Sequence, residues 1–452
     1  MNDPEPDDAE RYPLLGESGR RMLEFLREHP HAPIYRNHSG NRLDAEDLAF
    51  VRREEAAVLA SQVGWPRDGH PEWLDAFVAS CLRDVPHYRS YAKAERFEEL
   101  PSISRSDLGE NIAAFVPDSV PLERMINFQT SGTTGHPLLI ASHPRVAAGY
   151  LAYHKRALAR FGVTLTAGRG EVGVVLIGHQ LRCFTYVSVT PSMDEAGLAK
   201  INLHPVDWHS PDDRRPYLEA LAPEVIAGDP LSFAELLQIA PSLRPKALLS
   251  TSMILLSGLR EELEKTYACP VVDLYSLNEA GPVAVFDPAL NGHVLLQPHM
   301  YVEVLDTEDR PVPAGERGEV TLTGGFNFCL PLLRYRTGDF ASLDFIDGEP
   351  VLRDLEGRAL VRFRRPDGVW LNNIDVTHAL RPLPLARFRL HQREDAVFEF
   401  SIEATAAAKT EAHQALTALL GPSAIIESLP FPRITDSAKV PQYSSALAGS
   451  DS

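Results

Sequence analysis

The chain has 452 residues, 44% of them hydrophobic, and a formal charge of -18 at neutral pH. That length suits about three domains, or one large domain with a small appendage, and the apolar content is ample for a sizeable core. The acidic balance, with no basic cluster, excludes a nucleic-acid polyanion as the partner.

Cys81, Cys183, Cys269 and Cys329 stand far apart in no C-x-x-C spacing. They are expected to be small buried hydrophobes in a reducing compartment, not a disulfide frame or a zinc site. The opening Met-Asn-Asp-Pro-Glu-Pro-Asp-Asp lacks the pattern of a secretory signal. The longest apolar run, around Val172–Ile177, is too short for a bilayer. A soluble, cytoplasmic protein with no membrane partner is the expectation.

In chain order, apolar residues recur at helical spacing over Gly19–His29, Leu43–Val63 and Pro71–Cys81, with Asp44 or a neighbour as a cap. A Pro-broken connection from Val85 leads to a short helix capped by Ser104. Met125–Phe128 and Leu138–Ala141 flank Thr130-Ser131-Gly132-Thr133-Thr134-Gly135-His136-Pro137, which reads as a loop closing a β-hairpin. Pro144–Phe161 is strongly helical, with Arg145 and Lys155 expected to face solvent.

Strands at Gly170–Ile177, Val225–Gly228, Ala247–Ser250 and Val271–Tyr275 alternate with helices at Pro216–Ala222, Leu231–Ile239 and Leu259–Tyr267. Such alternation predicts an α/β protein with a largely parallel sheet covered by helices. From His293 the texture turns to β, with strands at Val294–Leu296, Tyr301–Leu305, Gly318–Thr323 and Leu333–Tyr335. A short α+β tail follows, with Arg387–Leu390, Val397–Ile402 and Thr410–Leu420 as its clearest elements. We place the boundary at Gly357, giving a large domain over 1–356 and a small mobile domain over 357–452.

The hydroxyl-rich loop is the first candidate for chemistry. Gly132 and Gly135 let backbone N–H groups turn inward, and Ser131, Thr133 and Thr134 add donors that suit a polyphosphate. On composition alone an ordinary polar turn fits equally well. Three further strings follow in order: Tyr275-Ser276-Leu277-Asn278-Glu279-Ala280-Gly281, Arg334-Tyr335-Arg336-Thr337-Gly338-Asp339 and Gly357-Arg358. A scarce lysine, Lys439, stands late in the chain.

This ordered set resembles the motifs of the acyl-adenylate-forming ligases, the AMP-binding superfamily of acyl-CoA synthetases and peptide-synthetase adenylation domains. The Leu100–Leu108 segment, His299–Glu303 and the compact tail are most similar to the phenylacetate–CoA ligase branch. The resemblance covers about residues 80–443. It implies an ATP- and Mg²⁺-dependent ligase that activates a small carboxylic acid, an aromatic one by branch likeness, as acyl-AMP with release of pyrophosphate. Coenzyme A is then the co-substrate by family default.

The resemblance also implies roles. Ser131–Gly135 would hold the β- and γ-phosphates, and Thr134, Glu279 and Lys439 form the catalytic set. Glu279 would be the metal ligand, beside Asn278. Asp339 would accept from the ribose hydroxyls. Tyr275, with Asp273 and Ser276, would border the adenine; Ser252 is a further adenine candidate. Arg358 would contact ribose or phosphate. Lys439 would bridge carboxylate and α-phosphate. The acyl pocket would lie between Phe184 and Tyr186, Asp229 and Pro230, and Tyr275.

The chain departs from the family pattern at several points. His136-Pro137-Leu138 stands where a lysine is usual, Asn278 replaces Thr or Ser, and Thr251-Ser252-Met253-Ile254 lacks a family carboxylate. Ala359-Leu360-Val361-Arg362 lacks the hinge acid, and Ala438 replaces a glycine. Losing the hinge acid is compatible with adenylation and bears against the swing that transfer to coenzyme A needs in the family. An amine, a carrier-protein thiol or an inorganic nucleophile is therefore the alternative acceptor, and a silent nucleotide-binding scaffold is a third reading. A homodimer or a carrier-protein partner is compatible with either enzyme reading.

Overall fold

The computed structural model describes residues 7–67, 69–129, 138–357, 361–431 and 441–447. The loop Thr130–Pro137, Arg358 and Lys439 lie outside the described residues. The loop's flanks do pair as expected: β1 (Ile126–Gln129) and β2 (Leu139–Ser142) run antiparallel, with Gln129 opposite Leu139.

The body of the molecule is a twelve-stranded sheet. Its strands are β3 (Val172–Gly178), β4 (Tyr186–Thr190), β5 (Ala196–Asn202), β6 (Val225–Gly228), β7 (Ala247–Ser250), β8 (Val271–Leu277), β9 (Gly281–Asp287), β10 (Gly292–Leu295), β11 (Met300–Leu305), β12 (Arg317–Gly324), β13 (Leu332–Ile346) and β14 (Glu349–Glu356). The spatial order is β11-β12-β13-β14-β10-β9-β8-β7-β6-β3-β5-β4. β5, β3, β6, β7 and β8 are mutually parallel, and every other pairing is antiparallel. β8 is therefore the seam between the two halves.

The parallel half follows from its sequence. Short runs such as Val225-Ile226-Ala227 and Ala247-Leu248-Leu249 are buried on both faces, as parallel strands between helices must be. The helices Arg214–Leu221, Pro230–Ile239 and Ser257–Tyr267 link these strands, and Glu17–Glu28 packs Met22, Leu23 and Leu26 into the same core. Prolines start two of the α-helices, where the missing N–H costs nothing, at Pro144 and Pro230.

One expectation is overturned here. Arg145 and Lys155, on the helix Pro144–Arg160, do not face solvent. They reach the helix Ala45–Ala60, Arg145 to the fully buried Asp47 at 2.6 Å and Lys155 to Glu55 at 2.6 Å. Helical spacing showed two charges on one face but not the acidic helix opposite. The four cysteines are free thiols, and Cys81, Cys269 and Cys329 are buried.

After β14 the chain forms the small hairpin β15 (Arg362–Arg364) and β16 (Trp370–Asn372). A separate four-stranded sheet follows, from β17 (Arg387–Gln392), β18 (Phe398–Glu403), β19 (Ile426–Ser428) and β20 (Tyr443–Ser445), covered by the helices Asn373–Leu380 and Ala406–Leu420. This body rests on the start of the helix Ser257–Tyr267. Leu256 enters its core, Ser257 Oγ and Gly258 N both donate to the Arg381 carbonyl, and Gly258 lies against the Pro382-Leu383 backbone. No helix of the described residues is long and apolar enough to cross a membrane.

Candidate active site at the seam strand

The parallel strands β6, β7 and β8 all deliver their carboxyl ends to one edge, the usual place for a ligand in open α/β sheets. Tyr275 stands near that end of β8. Its hydroxyl donates to Asp339 Oδ2 at 2.7 Å, joining residues 64 positions apart. Burial, and then the neighbouring Asp339 carboxylate, push the phenol well above its ordinary pKa, so it remains a donor.

Asp339 is aimed by an irregularity in β13. Arg336 pairs with Thr321 and Phe340 with Glu319, so β13 spends four residues where β12 spends two. Thr337-Gly338-Asp339, three residues opposite Val320 alone, bulge out of the ladder, a device that re-aims a side chain. The bulge is pinned in place. Thr337 Oγ1 donates to the Val320 carbonyl at 2.8 Å and accepts from Asp339 N at 3.0 Å. Gly338 takes φ +77°, and its N–H donates to Glu319 Oε1 at 2.9 Å. Gly357 also belongs here: a Cβ at that position would stand 3.3 Å from Asp339 Oδ1.

The two arginines of the same string serve the frame. Arg334 is 1% exposed and pairs with buried Glu303 at 3.3 Å. It also donates to the carbonyls of Leu100 at 2.6 Å and Asp309 at 2.9 Å. Burial raises the Glu303 carboxyl to about 7 against the opposing pull of Arg334. Arg336 binds Glu319 at 2.6 Å, the same carboxylate that holds Gly338. Both guanidiniums thus lock the segment around Leu100–Ser102 and the bulge to one another.

Glu279, in the turn between β8 and β9, is 4% exposed, while its neighbour Asn278 is exposed. Its carboxylate is held by an ion pair with Arg105, and the buried Tyr335 side chain lies near it. Arg105 was not among the residues singled out for chemistry, and Tyr335, inside one of the singled-out strings, was given no role. Arg105 lies in the Leu100–Leu108 segment, whose capped helix was legible, but nothing local points from it to a glutamate 174 residues away. Among the described residues no group of three or more His, Cys, Asp or Glu could hold a metal by itself. A single buried carboxylate fits a magnesium ion that arrives already bound to phosphate oxygens.

The remaining candidates divide. Ser252 is exposed at the carboxyl end of β7 with φ +71°, one strand from Tyr275, and Ser276 follows Tyr275 on β8. Asp273, on β8, faces Arg260 at 3.6 Å, and burial raises its carboxyl to about 7. Asp229 caps the helix Pro230–Ile239, accepting from Ser232 N at 2.7 Å, and Pro230 is that helix's buried first residue. Both stand at the end of β6, two strands from β8.

Phe184 and Tyr186 are not brought to Tyr275. β4 is the far edge strand, five strand spacings from β8, or about 24 Å. Phe184 is 53% exposed and lines a separate surface cavity of about 290 Å³ with Arg11, Arg36, Arg42 and His38. The sequence order of strands concealed this, because β4 turns back antiparallel to β5 at the sheet edge.

No family model matches the chain. In sequence, 330 residues, 68% of the chain, align at 24% identity with the phenylacetate-coenzyme A ligase of Aromatoleum evansii, covering 72% of that protein. A 90-residue stretch is 31% identical to the phenylacetate-coenzyme A ligase of Escherichia coli (strain K12), spanning 21% of its length. In structure, 2-hydroxyisobutyryl-CoA ligase in the postadenylation state with 2-HIB-AMP superposes at a TM-score of 0.60, with 18% identity, over 88% of this chain and 90% of that one. The fold is that of an adenylate-forming ligase. The chain is similar in sequence to the phenylacetate–CoA ligases within that superfamily. The same 2-hydroxyisobutyryl-CoA ligase with 2-HIB-AMP and CoA in the thioesterification state superposes less closely, at 0.52 over 87% of this chain and 90% of that one. Tyr275, Asp339 and Gly357 meet at the end of the seam strand, and Glu279 stands in the turn that follows it.

Proposed function

We propose that the protein is an ATP-dependent ligase that converts a small carboxylic acid to its acyl-adenylate with release of pyrophosphate, then passes the acyl group to coenzyme A. The observation that carries the reading is the Tyr275–Asp339 hydrogen bond beside the buried Glu279 in this fold. Asp339 would accept from the ribose hydroxyls, with Tyr275 fixing its carboxylate and bordering the base. Ser276 and Ser252, at the same strand ends, would complete the adenine rim.

Magnesium, when bound with ATP, would neutralise phosphate charge, and Glu279 is the residue that would hold it. The loop Ser131–Gly135 and Lys439 are assigned to the β- and γ-phosphates and to the α-phosphate on family likeness. Asp229 and Pro230 remain candidates for the acyl side of the site. A division at Gly357, with the small body moving between half-reactions, is part of the same reading. Coenzyme A as acceptor and the aromatic acid rest on likeness to ligases that bear those names.

The test is acid-dependent exchange of labelled pyrophosphate into ATP over a panel of aryl, arylacetic and hydroxy acids. Exchange with one acid is expected, reduced roughly 10²–10³-fold in Lys439→Ala and in Glu279→Gln, by analogy with removing one charge-stabilising donor. Binding of ATP without exchange for any acid would overturn the ligase reading for those substrates.

A further inference from the structure

Glu279 presents a problem that its assigned role does not solve. It is a carboxylate in a nearly dry setting, 4% exposed. An ionised group there is stable only when paired. Its partner is Arg105, whose side chain is one-third exposed, so it reaches from solvent down to a buried carboxylate.

The backbone beneath Arg105 is fixed with unusual thoroughness for a short helix start. Ile103 forms a parallel bridge with Tyr335, donating to the Arg334 carbonyl at 3.0 Å and accepting from Arg336 N at 2.8 Å. Ser102 Oγ donates to Asp309 at 2.8 Å, and Ser104 and Asp107 close a capping box at the start of the helix Arg105–Glu110. The backbone two residues before Arg105 is thus docked on the strand that carries Tyr335, a buried neighbour of Glu279.

We infer that Arg105 is a placeholder cation: its guanidinium pairs with and orients the Glu279 carboxylate in the nucleotide-free protein, and the divalent metal that arrives with the nucleotide takes its place. This rests on the ligase reading above. The geometry suits exchange. The guanidinium is at the solvent edge and can swing out, whereas Glu279 is buried and stays in place when the cation changes. Arg105 is in this view a positioning residue. A bare metal ion gains little from the wild-type site, because the carboxylate is already paired; only a metal delivered with phosphates displaces the arginine.

The test uses the full chain without nucleotide and measures Mn²⁺ binding by titration calorimetry. Arg105→Gln is expected to bind Mn²⁺ alone about tenfold more tightly than wild type, the scale of an outer partner's effect on a metal site. Arg105→Lys should fall between, and adding Glu279→Gln to Arg105→Gln should abolish the gain. Equal Mn²⁺ affinity in wild type and Arg105→Gln overturns the proposal, as does a gain that survives Glu279→Gln. Should Arg105→Gln not fold, wild type against Arg105→Lys decides in the same way, equal affinities overturning it. Loss of Mg²⁺-dependent ATP binding in Glu279→Gln is scored separately. Its absence would sink the ligase reading while leaving the metal-only comparison intact.

Discussion

Arg334 illustrates how a residue in a motif can serve by holding others. Its guanidinium spans Glu303, two carbonyls of the Glu98–Leu100 segment and the Asp309 carbonyl, all at a site 1% exposed. Removing one partner of a buried pair strands the other charge, at a cost of about 3–5 kcal/mol. Arg334→Ala is therefore expected to lose about that much in urea unfolding. Arg334→Lys should recover only part, since one ammonium cannot reach acceptors on both sides. A loss below about 1 kcal/mol would show that the network is not what holds the bulge, because that is the scale of an ordinary neutral hydrogen bond.

At the scale of elements, the strand ends do two kinds of work that sequence alone runs together. Asp229 stands where a ligand-facing acid would stand, yet its carboxylate caps the helix Pro230–Ile239. Asp229→Ala should cost about 1 kcal/mol of stability, the usual value of an N-cap. Asp229→Asn, which can still accept from Ser232 N, should cost much less. If Asp229→Ala instead leaves the melting curve unchanged and weakens acid binding, its role is on the substrate side. The bulge in β13 makes the converse point. Thr337-Gly338 is turn-like in sequence, but its function is to tilt Asp339 out of a ladder that continues to Ile346.

At the scale of the whole molecule, the contact that matters is where the four-stranded body meets the large sheet's helices. Gly258 presses on the Pro382-Leu383 backbone so closely that any side chain must displace it, and Leu256 fills the core of the smaller body. Gly258→Ala should undock that body while leaving both cores folded. The expected result is faster limited proteolysis between the two, by roughly tenfold for each 1.4 kcal/mol of docking lost, with far-UV circular dichroism unchanged. Unaltered cleavage rates would mean the backbone yields and the contact is not limiting. Beneath the same junction Glu356 is buried against Asn373 and Thr377, so the last strand of the large sheet is tied to the first helix of the small body.

Sequence alone determined the α/β class and the change from helix-linked to antiparallel strands, which it set at His293 although β9 (Gly281–Asp287) already runs antiparallel to β8. Those readings depend on local periodicity and on short ordered strings, which survive without coordinates. It did not reveal β4, β5, β9 or β14 as sheet members, and it set Phe184 and Tyr186 beside Tyr275 when five strand spacings separate them. Nor could it pair Arg105 with Glu279, Arg145 with Asp47, or the Tyr275 hydroxyl with Asp339. Each of these is a contact between residues 64 or more positions apart. Strand order and register decide such contacts, and both follow from how whole faces bury against one another, a property of the assembled sheet and not of any stretch within it.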